Sequence, residues 1–231
     1  MNYYKKQRYV GMIRDNWSVT NLFLVIQIIV YLLMTLMGGS ENPYVLMAFG
    51  AKVNGLVALG QYWRLVTPIF IHIGIAHLVM NSLFLYYLGN EMERILGSGR
   101  FFVVYLLSGI MGNVCSFAFS NALSAGASTS LFGLFGVILY LAYKHSYVRS
   151  FNYLGKTYGP LIILNVIFGF LNSGVDNFGH IGGLLGGFLV TAIVSFHGDQ
   201  NTKLVERILA VITYVIVFLL LFRLGMSKVL Y

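Results

Sequence analysis

The sequence predicts an all-α polytopic membrane protein, and three observations carry that prediction. Hydrophobic residues make up 58% of the 231 and charged residues only 10%, where soluble domains carry about a quarter charged. The mean hydropathy is +0.79. Apolar runs recur along the chain, and several reach the roughly 20 residues that a helix needs to cross a hydrocarbon core about 30 Å thick. That leaves room for six or seven spans and little else, so one integral membrane domain is expected, with no sizeable soluble one.

Residues 1–18 are basic and polar. The first apolar run, Val19 to Met37, follows them and is long enough to span, so no cleavable signal peptide is expected. From Gly38 to Ile75 the chain is broken by Pro43, Pro68 and several glycines yet stays apolar. It is too interrupted for a straight span and too greasy for a free loop. It is therefore expected to lie partly in the outer interface, with Tyr62 and Trp63 at headgroup level and Arg64 bonding loop carbonyls. Ala76 to Leu88, and Leu161 to Leu171 with an upstream extension, are short or interrupted, which is tolerable only inside protein. Phe101 to Phe119, Ser128 to Tyr143, Phe178 to Phe196 and Leu204 to Leu224 complete the seven candidate spans. Glycines within these runs let helix backbones approach closely.

The net charge of +8 is explained by placement, and no nucleic-acid partner is expected. With the N-terminus cytoplasmic, that side receives Lys5, Lys6, Arg8, Arg14, Arg94, Arg100, Lys144, Arg149, Lys156, Lys203 and Arg207; the other keeps only Lys52, Arg64, Arg223 and Lys228. This asymmetry follows the positive-inside rule. Lone Cys115 cannot form an internal disulfide.

A polar side chain inside a membrane segment is costly and points by default to function. His77 and Asn81 share one helical face, as do Ser128 with Phe132, and His180 with Gly183 and Gly187. In the topology above all three helices start outside, so these residues fall at a similar depth in the outer part of the membrane. Singly, each has an ordinary structural explanation in capping, backbone bonding or helix bridging. Together they form a catalytic set: Ser128 as nucleophile, His180 as general base, and Asn81 with His77 as oxyanion donors. A serine at a helix start also has free N–H groups and the positive end of the dipole beside it. Asp176 precedes His180 by four residues but reads as a solvated turn residue, so a dyad is expected. Glu91, Glu93, Arg94 and Arg100 read as ion pairs tying helix ends together at the opposite side.

These residues resemble the rhomboid family of intramembrane serine proteases. GASTSLFGLFG, from Gly126 to Gly136, is similar to its GxSG helix start with an aromatic four positions after the serine. GHIGGLLGG, from Gly179 to Gly187, is similar to AHxGGxxxG, and HIGIAHLVMN, from His72 to Asn81, to HxxxxHxxxN. QYWR, with Trp63 and Arg64, resembles the WR loop motif, and ERILGSGR the ExRxGxxR signature. The resemblance runs in order through nearly the whole chain. It implies a rhomboid-like six-helix catalytic core over 19–197 and an additional C-terminal span and tail over 198–231. It also implies Ser128 and His180 as the catalytic pair, Asn81 and His77 in the oxyanion hole, Phe132 packed on the His180 ring, and Gly126, Gly183 and Gly187 in support. No cofactor or metal is implied. The implied partners are the lipid bilayer and transmembrane protein substrates, in a bacterial cell membrane, with the site open outward. Two positions depart from the pattern: Thr129 stands where Gly is usual and Gly179 where Ala is usual, and Thr129 is expected to crowd the oxyanion region or to bond the helix backbone.

Two rivals remain, a catalytically weak or inactive relative that binds membrane proteins, and a small transporter. An inactive relative would be expected to lack the serine or the histidine. A transporter fits poorly, because no internal repeat and almost no acidic residue at mid-membrane are present. A soluble-hydrolase nucleophile elbow is excluded, since it needs a strand before the serine and Gly where Ser130 stands.

Overall fold

The computed structural model describes residues 18–172, 174–196 and 198–230. Lys5, Lys6, Arg8 and Arg14 therefore lie outside the described residues. The chain forms α1 (Val19–Leu36), short α2 (Pro43–Phe49) and α3 (Asn54–Ala58), and two 3-10 turns, Tyr62–Leu65 and Thr67–Phe70. Then come α4 (Gly74–Phe84), a π-helical turn (Leu85–Gly89), α5 (Asn90–Leu96), α6 (Ser98–Phe119), α7 (Ser128–Lys144), α8 (Arg149–Leu171), α9 (Asn177–Val194) and α10 (Leu204–Leu230). Among the described residues five helices, α1, α6, α8, α9 and α10, are long and apolar enough to cross a membrane.

The second candidate span is longer than its apolar run suggested. The helix runs from Gly74 to Leu96 through the π-helical turn, carrying Glu91, Glu93 and Arg94 inside it. Among the described residues none of these charges, nor Arg100, joins the ion pairs expected of them; Glu91, Glu93 and Arg100 are met by hydrogen bonds instead, Glu91 accepting from the Tyr158 hydroxyl at 3.3 Å. Glu93 accepts from the Val19 and Thr20 N–H groups at 2.9 Å each, from the Thr20 hydroxyl at 2.7 Å and from Ser98 at 2.6 Å. It thus caps the start of α1, whose first N–H groups have no intrahelical acceptor. Arg100 donates to the carbonyls of Val194 and Leu96. Among the described residues the ion pair is Lys144–Glu206, while Asp199 faces His145 Nε2 at 3.8 Å, a pair that is ionic only when the imidazole is protonated.

Helix α9 packs mainly on α6 and α7, and glycine makes the approach possible. A methyl at Gly183 would stand 2.0 Å from the Thr129 carbonyl oxygen, and one at Gly187 2.0 Å from that of Gly133. Any side chain at either position would force the helices apart. Helix α10 packs on α6, α9 and α3. Its Tyr214 hydroxyl donates to the Leu107 carbonyl at 2.9 Å, and Phe222 meets Phe117 and Tyr62.

Helix α7 is the unusual span. It is buried along most of its length, and 17 residues at about 1.5 Å each are short for a hydrocarbon core of about 30 Å. The irregular segment that feeds it, 120–127, needs partners for its backbone, because bare polar groups are not tolerated at membrane depth. Lys52 and Ser124 exchange backbone bonds at 2.9 and 3.1 Å, Gly126 N–H donates to the Pro68 carbonyl at 2.9 Å, and Ala127 N–H donates to His72 Nε2 at 3.4 Å. The long loop between α1 and α4 is thus the scaffold on which the start of α7 rests. Arg64 braces that loop, donating to the Met47 and Ala51 carbonyls at 2.8 and 2.9 Å, while Trp63 is exposed beside it.

Candidate active site

One cavity of about 500 Å³ gathers His77 and Asn81 from α4, Ser128 and Phe132 from α7, and Asp176 and His180 from the start of α9. Three segments distant in sequence therefore converge on one space. Ser128 is the first residue of α7, following Ala127 at the N-cap. The leading N–H groups of a helix have no intrahelical acceptor, so that end offers donors and positive potential beside the Ser128 hydroxyl.

His180 stacks on Phe132 with ring centroids 4.1 Å apart and planes 10° from parallel. Its Nδ1 is buried without a hydrogen-bond partner among the described residues. The ring is held by the stack and by its helix, with no third side chain bonded to it among the described residues. Asn81 Nδ2 is likewise buried without a partner. A buried donor left unpaired costs about 1–3 kcal/mol, and this one borders the cavity.

Gly126 has φ +138°, a conformation that side chains rarely adopt. A methyl there would lie 2.6–2.7 Å from the His77 imidazole and 3.5 Å from Asn81 Nδ2. Glycine thus lets the chain pass against both side chains immediately before α7. His72, to which no role was attached, meets His77 edge-on at 5.2 Å and accepts from Ala127 N–H. The residue it bonds, Ala127, immediately precedes Ser128.

Two expectations change. Thr129 neither borders the cavity nor bonds the helix backbone: its hydroxyl is buried without a partner, and its methyl side fills space left by two glycines. Methyl groups at Gly112 and Gly179 would lie 2.7 Å from Thr129 Cβ and 3.1 Å from its Cγ2 respectively. The two departures from the family pattern are therefore neighbours, one gaining the volume the other gives up. Asp176, read as a solvated turn residue, is the N-cap of α9. It accepts from Gly179 N–H at 3.0 Å and from the Ser116 hydroxyl of α6.

Buried Lys52 lies behind this region, donating to Asn54 at 3.0 Å and to the Ser120 carbonyl at 3.1 Å. Burial pulls its ammonium down to about 8, against the opposing pull of the Asp176 charge.

With the geometry in place, comparison with known proteins decides the family. A rhomboid domain matches residues 59–197. The chain belongs to the rhomboid family. It is 49% identical to the rhomboid protease GluP of Bacillus subtilis over 84% of its own length, spanning 38% of that longer protein. It is 35% identical to rhomboid-like protease 3 of Toxoplasma gondii, over 80% of this chain and 72% of the relative. Rhomboid-like protease 1 of the same organism is 33% identical over 85% and 70%. By its own helices the chain is a multi-pass membrane protein.

Proposed function

We propose that this rhomboid protein is an intramembrane serine endopeptidase that hydrolyses peptide bonds in or near transmembrane segments of membrane proteins. The observation that carries the reading is the meeting of Ser128, the Phe132-stacked His180 ring and the unpaired Asn81 amide on one cavity. In this reading His180 accepts the Ser128 proton as the hydroxyl attacks the scissile carbonyl. Asn81, His77 and the first N–H groups of α7 receive the charge that develops on the carbonyl oxygen. His180 then returns the proton to the leaving amine, and water resolves the acyl-enzyme by the same route. The substrate helix must unwind first, because its carbonyls are otherwise engaged in its own hydrogen bonds.

Residues 19–197 act as the catalytic core, with 198–231 as an added span. The charge asymmetry and the relationship to a Bacillus protein favour a bacterial cell membrane, a cytoplasmic N-terminus and a cavity open to the outer face. The placement of Thr129 between Gly112 and Gly179 argues against an inactive relative, since it removes the crowding that would disable the site. Purified protein in detergent should cleave a single-pass membrane substrate, and Ser128→Ala and His180→Ala should each abolish cleavage while the thermal midpoint holds. Cleavage by Ser128→Ala at the wild-type rate would sink the proposal.

A further inference from the structure

We propose that Asp176 is a positioning residue for His180, fixing the first turn of α9 and supplying the negative charge that balances the imidazolium formed when Ser128 is deprotonated. The proposal rests on the Ser128–His180 reading above and goes beyond the dyad.

Four observations converge on Asp176. It is the N-cap of the helix that carries His180: one carboxylate oxygen accepts from Gly179 N–H at 3.0 Å, and its carbonyl accepts from His180 N–H at 3.1 Å. The second carboxylate oxygen accepts from the Ser116 hydroxyl on α6. The cap is thereby fixed to a neighbouring span as well as to its own helix. Residues four apart near a helix start lie on one face, and both Asp176 and His180 border the same cavity. Lastly, the charge of Asp176 acts on buried Lys52, whose Nζ is committed to Asn54 and the Ser120 carbonyl. No ion pair neutralises Asp176 among the described residues.

The need for such a group follows from the histidine itself. Among the described residues no side chain bonds His180 Nδ1, and the ring contact that restrains its tilt is the Phe132 stack. Its position then depends on where its helix begins, and Asp176 decides that. When the ring takes the Ser128 proton it becomes a cation in a place of low polarity, at the positive end of its own helix dipole. A fixed anion one turn away lowers the cost of that step and needs no direct hydrogen bond. Sequence inspection gives little hint of it, because the anchoring hydroxyl of Ser116 lies 60 residues earlier.

The test separates cap from charge. Asp176→Asn keeps an acceptor for Gly179 N–H and offers Ser116 a donor in place of an acceptor, but carries no charge. Asp176→Ala removes both. Ser128 labelling by a fluorophosphonate, substrate kcat and KM, and thermal midpoint are measured for both variants, with Ser128→Ala as the control. Asp176→Asn is expected to slow labelling and kcat about 10-fold, with KM and the midpoint near wild type. Asp176→Ala is expected to lose in addition about 2–4 °C of midpoint. If Asp176→Asn labels and turns over like wild type, Asp176 is a cap alone and the proposal is overturned while the dyad stands. If wild-type protein is not labelled at Ser128, the dyad reading fails and this proposal falls with it. Should Asp176→Ala not fold, Asp176→Asn decides alone.

Discussion

Two histidines at opposite ends of the bundle show what separates a working group from a structural one. His145, just beyond α7, is fully buried and sits in a complete serine–aspartate–histidine set. Its Nδ1 meets the Tyr147 hydroxyl at 3.0 Å, Asp199 lies 3.8 Å from its Nε2, and Ser195 donates to Asp199. Among the described residues His180 has no carboxylate bonded to it; each ring keeps one nitrogen without a hydrogen bond, Nε2 in His145 and Nδ1 in His180, but of the two only His180 borders the cavity. By residue type the His145 cluster is the better triad. By geometry it is inert, because the serine bonds the acid and not the histidine. Its other groups are consumed in tying the α7–α8 and α9–α10 turns together, with Tyr140 to Thr202 and Lys144 to Glu206 alongside. Chemistry belongs where donors and acceptors are left for a visitor, on a cavity.

The sharpest way to break the comparison is to exchange the damage. Ser128→Ala and His180→Ala should lower kcat by about 10⁴-fold or more. Ser195→Ala and His145→Gln should keep kcat per folded molecule within about twofold, whatever they cost in stability. Cleavage assays corrected for the folded fraction decide this. A turnover collapse in Ser195→Ala would make the buried cluster part of the machinery.

A smaller effect is expected from Asn81→Ala. It should reduce kcat by about 10²–10³-fold with KM little changed, because an oxyanion donor acts in the transition state. Equal losses through KM would assign Asn81 to substrate binding instead. Phe132→Leu should cost about 10-fold in kcat, the upper worth of an aromatic stack, whereas Phe132→Tyr should keep the wild-type kcat, since the stacking face is what the ring needs. If Phe132→Leu were as active as wild type, the helix start alone would hold His180.

The sequence made the spans legible wherever the apolar run was continuous, as in α1, α6 and α10. It failed where a partner came from far away. Glu91, Glu93 and Arg94 looked like the end of the second span. The helix continues through them because Glu93 spends its charge on the N-terminus of α1, more than 70 residues earlier. Asp176 looked solvated because Ser116 was out of sight. Thr129 looked obstructive because its complement is split between Gly179, within a motif, and Gly112, outside every motif. The convergence of Ser128, His180, His77 and Asn81 could be anticipated from their common depth, since topology and helical spacing are local facts. The stack on His180 and the pass of Gly126 against His77 are matters of packing.

The mildest prediction concerns the inert histidine cluster and its acid. Burial raises the carboxyl of Asp199, but bonds from Ser195 and Thr202, the Asn201 N–H and the facing His145 outweigh it and hold the group down at about 2. An unfolded aspartate titrates near 3.9. The folded protein therefore keeps this carboxylate charged after the unfolded chain has taken up its proton. The stability it contributes is fully present above about pH 4 and is lost as pH falls toward about 2. His145 adds in the same direction at higher pH: burial lowers its basicity despite the charge of Asp199, so stability declines once the unfolded ring, near 6.5, protonates. Asp199→Asn should flatten the dependence of the thermal midpoint on pH between about 4 and 2, leaving cleavage at neutral pH per folded molecule unchanged. An unaltered acid profile in that variant would mean that Asp199 carries no linked charge. The cluster would then be held by its hydroxyl and amide bonds alone, and its contrast with His180 would rest on cavity access and not on electrostatics.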